Sequence, residues 1–162
     1  MIIVEGIDRV GKTTLVNLIK EKTGLPVLTD NYMLEFSDMR SNSRVNMEKI
    51  QTIINVARDV NKDFIVDRLH WSEFVYGLLD RGYIHKDEIM LLEKQLVDLD
   101  SRIILVTSTD IKESSRQHGK DLAKHSKLFD DLFINTKLKS FRCNYDSLGD
   151  AVDWVVKTYV IK

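Results

Sequence analysis

The stretch that decides the fold is EGIDRVGKTT, Glu5 to Thr14. Gly6 to Thr13 matches G-x-x-x-x-G-K-[ST], and its flanks supply the context that pattern requires. Before it, the short apolar run IIVE at 2–5 stops at Gly6 and reads as a buried strand. After it, Leu15, Leu18 and Ile19 keep helical spacing up to Lys22, with Gly24 placed as a C-cap. Glycines in such a loop let backbone N–H groups turn inward onto phosphate oxygens, and the helix N-terminus adds its positive dipole. Lys12 is the residue that reaches β- and γ-phosphates, and the Thr13 hydroxyl is a ligand for Mg²⁺. Gly6, Asp8, Arg9, Val10, Gly11, Lys12, Thr13 and Thr14 are therefore the candidate triphosphate-binding residues. A carboxylate and a guanidinium, Asp8-Arg9, sit inside the loop itself and need a separate explanation.

Outward from the loop, short unalternating apolar runs recur between helical patterns. PVLT at 26–29, FIVD at 64–67, RIILVTS at 102–108 and KSFRC at 139–143 read as strands. Residues 37–46 are polar and read as loop, and Ile50, Ile53, Ile54 and Ala57 then form a helical stripe. Further helices are expected over 69–79 and 86–98, over 111–136 as a pair jointed near Gly119, and over a closing segment, SLGDAVDWVVKTYV. Strands buried on both faces and alternating with helices indicate an α/β fold, a parallel five-stranded sheet flanked by helices. Ligands bind such sheets at the carboxyl ends of the strands. Two charged clusters lie there: residues 6–14, and Asp67-Arg68. One proline, no low-complexity linker and no repeat mark no internal boundary, so residues 1–162 are expected to form one domain.

Composition narrows the function classes. A net charge of −1 gives no global field for nucleic acid, so no stable nucleic-acid binding is expected and an anion site must be local. A single cysteine, Cys143, excludes an internal disulfide and fits a reducing compartment. No run approaches the ~20 apolar residues that span a bilayer. No leader signature precedes the first strand. The expected location is the cytoplasm, or a host cytoplasm for a phage or viral protein. The base-reading N-K-x-D of GTPases is absent, and the four histidines form no zinc motif.

The third strand ends in DRLHWSEFVYG, with Ser72 five residues and Tyr76 nine residues beyond Asp67. This resembles the D-R-(Y/F/H)-x-x-S-x-x-x-Y signature of thymidylate kinases, and the loop resembles their EG-x-D-x-x-GK-[ST]-T. Asp8-Arg9 is similar to the loop of the eukaryotic and poxviral branch. NYDSLGDAVDWVV is similar to the family's last strand, loop and helix. The resemblance implies a P-loop nucleoside monophosphate kinase fold and Mg·ATP-dependent phosphorylation of a deoxynucleoside monophosphate, dTMP or a related pyrimidine. ATP and Mg²⁺ are the implied cofactors, small nucleotides the partners, and a homodimer the assembly.

Roles follow by resemblance. Arg9 would contact the phosphoryl group in flight, with Lys12, Asp67 and Arg68 completing the catalytic set. Asp67 would hold Mg²⁺ through water, with Thr13 as direct ligand, and Arg68 would bind phosphate. Asp8 would bond the acceptor's 3′-hydroxyl, and Tyr76 would lie under the sugar, leaving no room for a 2′-hydroxyl. The acceptor phosphate needs a cationic clamp, for which Arg40 and Arg44 are the candidates. Residues 112–127 occupy the family's lid position, where Arg116 and Lys120 are candidates for ATP phosphates. Phe36 is a candidate base-stacking aromatic. The chain is shorter than typical members between the second and third strands and in the lid, so the region that reads the base is the one most altered. Three other readings stay open. A deoxynucleoside kinase would use Asp30 or Glu35 as base. A nucleotide sensor would bind without catalysis, and a polynucleotide 5′-kinase would need a basic groove that the charge balance does not favour.

Overall fold

The computed structural model describes residues 1–28, 43–60, 62–83 and 85–159. Arg40, Asp30, Glu35 and Phe36 lie outside the described residues. The strands are β1 (Ile2–Glu5), β2 (Val27–Leu28), β3 (Ile65–Asp67), β4 (Arg102–Thr107) and β5 (Lys139–Asn144). The helices are α1 (Lys12–Thr23), α2 (Ser43–Val60), α3 (His70–Tyr76), α4 (Lys86–Asp98), α5 (Ile111–His118), α6 (Ala123–Asn135) and α7 (Leu148–Tyr159). All pairings are parallel and the strand order is β2-β3-β1-β4-β5, as the alternation of apolar runs and helices indicates.

β1 is the central strand, and Ile2, Ile3 and Val4 are all fully buried. Ile3, Ile103 and Ile104 continue the apolar layer across β1 and β4, while Leu15 and Ile19 of α1 pack into the same core. α1 packs with α7, and α3 packs with α2, α4 and α6. α1 ends where expected: the Gly24 N–H donates to the Lys20 carbonyl at 2.8 Å.

Two expectations are corrected. Ser43 to Asn46 are helical rather than loop, because the apolar stripe begins earlier, with Met47 buried one turn before Ile50. The helix expected over 69–79 is two pieces: α3 ends at Tyr76 and a π-helical turn runs Gly77–Arg81. The joint expected near Gly119 falls between α5 and α6. No described helix is long and apolar enough to cross a membrane.

Candidate active site

Register brings the two charged clusters together. Val4 of β1 pairs with Asp67 of β3, so the two strands end within one residue of each other, and the Arg68 N–H donates to the Val4 carbonyl at 2.9 Å. The loop leaves β1 at Gly6, whose φ of 141° brings the backbone so close to β4 that a Cβ would lie 2.2 Å from the Val106 carbonyl oxygen. Gly11, with φ 96°, N-caps α1, and a Cβ there would meet the Tyr145 ring at 2.7 Å. Arg9 also holds a left-handed backbone, φ 61°, which costs a non-glycine residue about 1 kcal/mol and persists where surrounding structure fixes it. Its side chain is exposed at the loop's apex.

Lys12 points back into the loop, donating from Nζ to the Ile7 carbonyl, and is only 6% exposed. Burial, reinforced by the Arg68 charge, pulls its pKa down to about 7 against the opposing pull of Asp67, Asp8 and Glu5. Thr13 and Thr14 are exposed on the first turn of α1. Burial raises the Asp67 pKa, with Lys12 and Arg68 opposing, and its Oδ1 is buried without a hydrogen-bond partner among the described residues. An orphaned carboxylate oxygen at this strand end suits a hydrated divalent cation, which supplies the donors that oxygen lacks. Among the described residues no group of three or more His, Cys, Asp and Glu forms an all-protein metal cage.

Asp8 is the hub of the polar cluster on the β3 side. Its Oδ1 takes a charge-assisted bond from the Arg68 guanidinium, and its Oδ2 lies 3.1 Å from His118 Nε2 at the end of α5. Arg68 also donates to the Gly6 carbonyl and to Ser72 Oγ, each at 3.3 Å, and its guanidinium lies 5.3 Å from the Tyr76 ring centre. Tyr76 is half-buried, with Lys120 Nζ 5.5 Å from the ring centre and His125 and Phe129 against its edges. Burial pushes its hydroxyl pKa up to about 12. Lys120 and His125 both converge on Asp80 of the π-helical turn, His125 Nε2 at 2.8 Å from Oδ1.

Thus Asp8, Arg9, Lys12, Asp67, Arg68 and Tyr76 are gathered around one loop. Two other candidates are not. Arg116 is paired with Glu113 at 2.8 Å and is 79% exposed on α5, whereas His118 contacts Asp8 and Lys120 contacts Asp80 and Tyr76. Arg44 is 87% exposed and paired with Glu48 at 3.0 Å along α2.

Sequence reasoning missed Glu5. It is fully buried, and its Oε1 accepts the N–H groups of Leu69, Trp71 and Ser72 at 2.9, 3.1 and 3.3 Å, while Oε2 accepts from Ser72 Oγ. One carboxylate therefore ties the end of β1 to the first turn of α3, satisfying donors the helix cannot satisfy itself. The available signal was a lone charge closing an otherwise apolar buried strand. Also missed was Glu73, one turn before Tyr76, which pairs with Arg81 at 2.7 Å and accepts from the Tyr83 hydroxyl.

This sheet order and its flanking helices have counterparts among solved structures. The chain has the P-loop kinase fold. It aligns with the Bacillus subtilis YorR protein, solved in complex with phosphorylated GDP, at TM-score 0.74 and 16% identity, covering 99% of this chain and 95% of that one. Thymidylate kinase from Ehrlichia chaffeensis aligns at TM-score 0.57 and 18% identity over 96% of this chain and 97% of that one. The NadR protein in complex with NR aligns at TM-score 0.57 and 18% identity, this chain spanning 51% of its length. No protein-family model and no curated protein sequence matches the chain.

Proposed function

We propose that this protein transfers the γ-phosphoryl of Mg·ATP to a deoxynucleoside monophosphate, with dTMP or a related pyrimidine as the first candidate. The observation that carries this reading is the joining of the phosphate loop to a second polar cluster through Asp8, Arg68 and Tyr76. A nucleotide-binding protein without an acceptor needs only the first of the two.

Phosphoryl transfer asks little covalent work of a protein; positioning and charge stabilisation supply the rate. The inward N–H groups of the loop and Lys12 hold the β- and γ-phosphates. Thr13 and Asp67 would hold the magnesium, which supplies neutralising charge between the phosphates. Arg9, exposed at the apex, meets the phosphoryl group as it moves. Asp8 accepts from the acceptor's 3′-hydroxyl, Arg68 holds its phosphate, and the Tyr76 ring supports the sugar where a 2′-hydroxyl would collide. His118 and Lys120 bring the α5–α6 segment onto the same cluster. The solved neighbours carry unlike ligands by their own descriptions, GDP derivatives and NR, so the base is a question for assay.

The test is ADP release from Mg·ATP with a panel of deoxynucleoside monophosphates, the matching ribonucleotides and the free nucleosides. Turnover of one or more deoxynucleoside monophosphates, with ribonucleotides poorer, supports the reading. Turnover of nucleosides with none of the monophosphates would sink it.

A further inference from the structure

We propose that Asp80 is a positioning residue for acceptor selection, acting by seating Lys120 and His125 against the Tyr76 ring. The proposal rests on the reading that this ring lies under the acceptor's sugar and excludes a 2′-hydroxyl. A ring can exclude a single hydroxyl only if its own position is fixed to within about 0.5 Å. Among the described residues, two cations and two rings meet Tyr76. Arg68 comes from the end of β3, its guanidinium 5.3 Å from the ring centre. The other three come from the α5–α6 segment. Lys120 Nζ lies 5.5 Å from the ring centre, and the His125 and Phe129 rings lie 5.2 and 6.4 Å away, centre to centre.

Phe129 is anchored by the apolar core, in which it is fully buried. Lys120 and His125 are anchored by one carboxylate. Asp80 gives Oδ2 to Lys120 Nζ and Oδ1 to His125 Nε2, the latter at 2.8 Å. His125 is buried, and its Nδ1 has no partner among the described residues, so Asp80 is the one polar anchor of that imidazole there. Each oxygen of Asp80 therefore holds a side chain that touches Tyr76. Asp80 stands on the π-helical turn Gly77–Arg81, where the Gly82 N–H donates to the Gly77 carbonyl five residues back. Turns of this kind are rare and occur frequently at functional sites. Asp80 follows Tyr76 by four residues, so one short stretch carries both the ring and the carboxylate that fixes what packs on it. Lys120, a candidate for ATP phosphates by its place in the sequence, is thereby committed to the acceptor. Without Asp80 the ring loses two of its supports, and the loss falls on selectivity for the sugar.

The experiment measures kcat/KM with Mg·ATP for matched acceptor pairs: dTMP with 5-methyluridine 5′-monophosphate, dCMP with CMP, dGMP with GMP and dAMP with AMP. Wild type, Asp80→Ala, Asp80→Asn, Lys120→Met and Tyr76→Ala are compared. The readout is the ratio of deoxyribonucleotide to ribonucleotide within a pair. Partial unfolding lowers both members equally and cancels from it. Asp80→Ala is expected to lower the ratio by about tenfold, with the KM for ATP unchanged. Asp80→Asn keeps an acceptor for His125 and should recover part of the ratio. Lys120→Met, which removes one support of two, should fall between Asp80→Ala and wild type. A wild-type ratio in Asp80→Ala beside a lowered one in Tyr76→Ala overturns the positioning role and leaves the reading of Tyr76 standing. A wild-type ratio in Tyr76→Ala, or equal use of both members of every pair by wild type, overturns that reading and the positioning role with it.

Discussion

Asp8 of the phosphate loop and Arg68 at the end of β3 form an ion pair across the 60 residues that separate them in sequence. Their side chains are 29% and 26% exposed, so the pair stabilises less than a dry one, and its main effect is to hold each group in place. Removing either charge should therefore affect acceptor use more than folding. Asp8→Ala and Arg68→Ala should each raise the acceptor KM at least tenfold, against about 1 kcal/mol of stability. The double variant should be no worse than the poorer single one. Strictly additive losses in a double-mutant cycle would show that the two act separately.

Arg9 makes a prediction of opposite sign for activity and stability. Its φ of 61° suits glycine better than arginine. Arg9→Gly should lose no stability in urea denaturation, yet lower kcat by about 10³-fold, with donor KM changed far less, because the contact strengthens only in the transition state. Arg9→Lys should recover part of the rate, lacking the planar fork. Wild-type kcat in Arg9→Gly would remove the residue from the mechanism.

On the proposed reading, Lys12 should link nucleotide binding to pH. Its pKa in the unliganded protein is about 7, lowered mainly by burial. Bound phosphates restore the missing counter-charge and raise it. The ammonium's contribution to binding is thus fully present below about pH 7 and is lost as pH rises through the higher, bound-state pKa. Between those values binding takes up a proton. Calorimetry at pH 8 in two buffers of different protonation heat should detect close to one proton taken up by wild type and none by Lys12→Met. For folding, the native pKa lies below the unfolded one, so stability should rise with pH from 7 toward 10.5. Lys12→Met should be the more thermostable protein at pH 7, and a lower Tm would show that the buried ammonium is satisfied in place.

Glu5 accepts three backbone N–H groups and a hydroxyl with one carboxylate. Glu5→Ala strands all four donors and should cost roughly 2–4 kcal/mol, read from the denaturant midpoint at unchanged slope. Glu5→Gln, which keeps the shape and half the acceptors, should cost about half as much. Loss below about 0.5 kcal/mol in Glu5→Ala would mean that water replaces the carboxylate.

The sheet and the loop were legible because each is carried by local pattern. The run IIVE and Gly6 to Thr13 state their own structure, and RIILVTS has no competing period. The position of Asp67-Arg68 beside the loop was legible because a strand end is a fixed place in such a sheet. What stayed hidden depends on contacts distant in sequence. His118 meets Asp8 across a hundred and more residues, and nothing in QHGKD distinguishes it from Arg116, two positions earlier on the outward face of the same helix. Glu5 reads as the end of a strand until α3 is placed beside it. The start of α2 was misread because polar residues on a helix's solvent side look like loop.

The strand order has one more consequence. Neighbouring strands lie about 4.8 Å apart, so the end of β3, which carries Asp67, and the end of β5 are separated by three such steps, through β1 and β4, or about 14 Å. The sheet is a ruler. A single molecule carrying two nucleosides on one phosphate bridge would have to match that length to occupy both ends at once. A shorter bridge would engage one end only, however well each half fits alone, and inhibition by such compounds should peak at one bridge length.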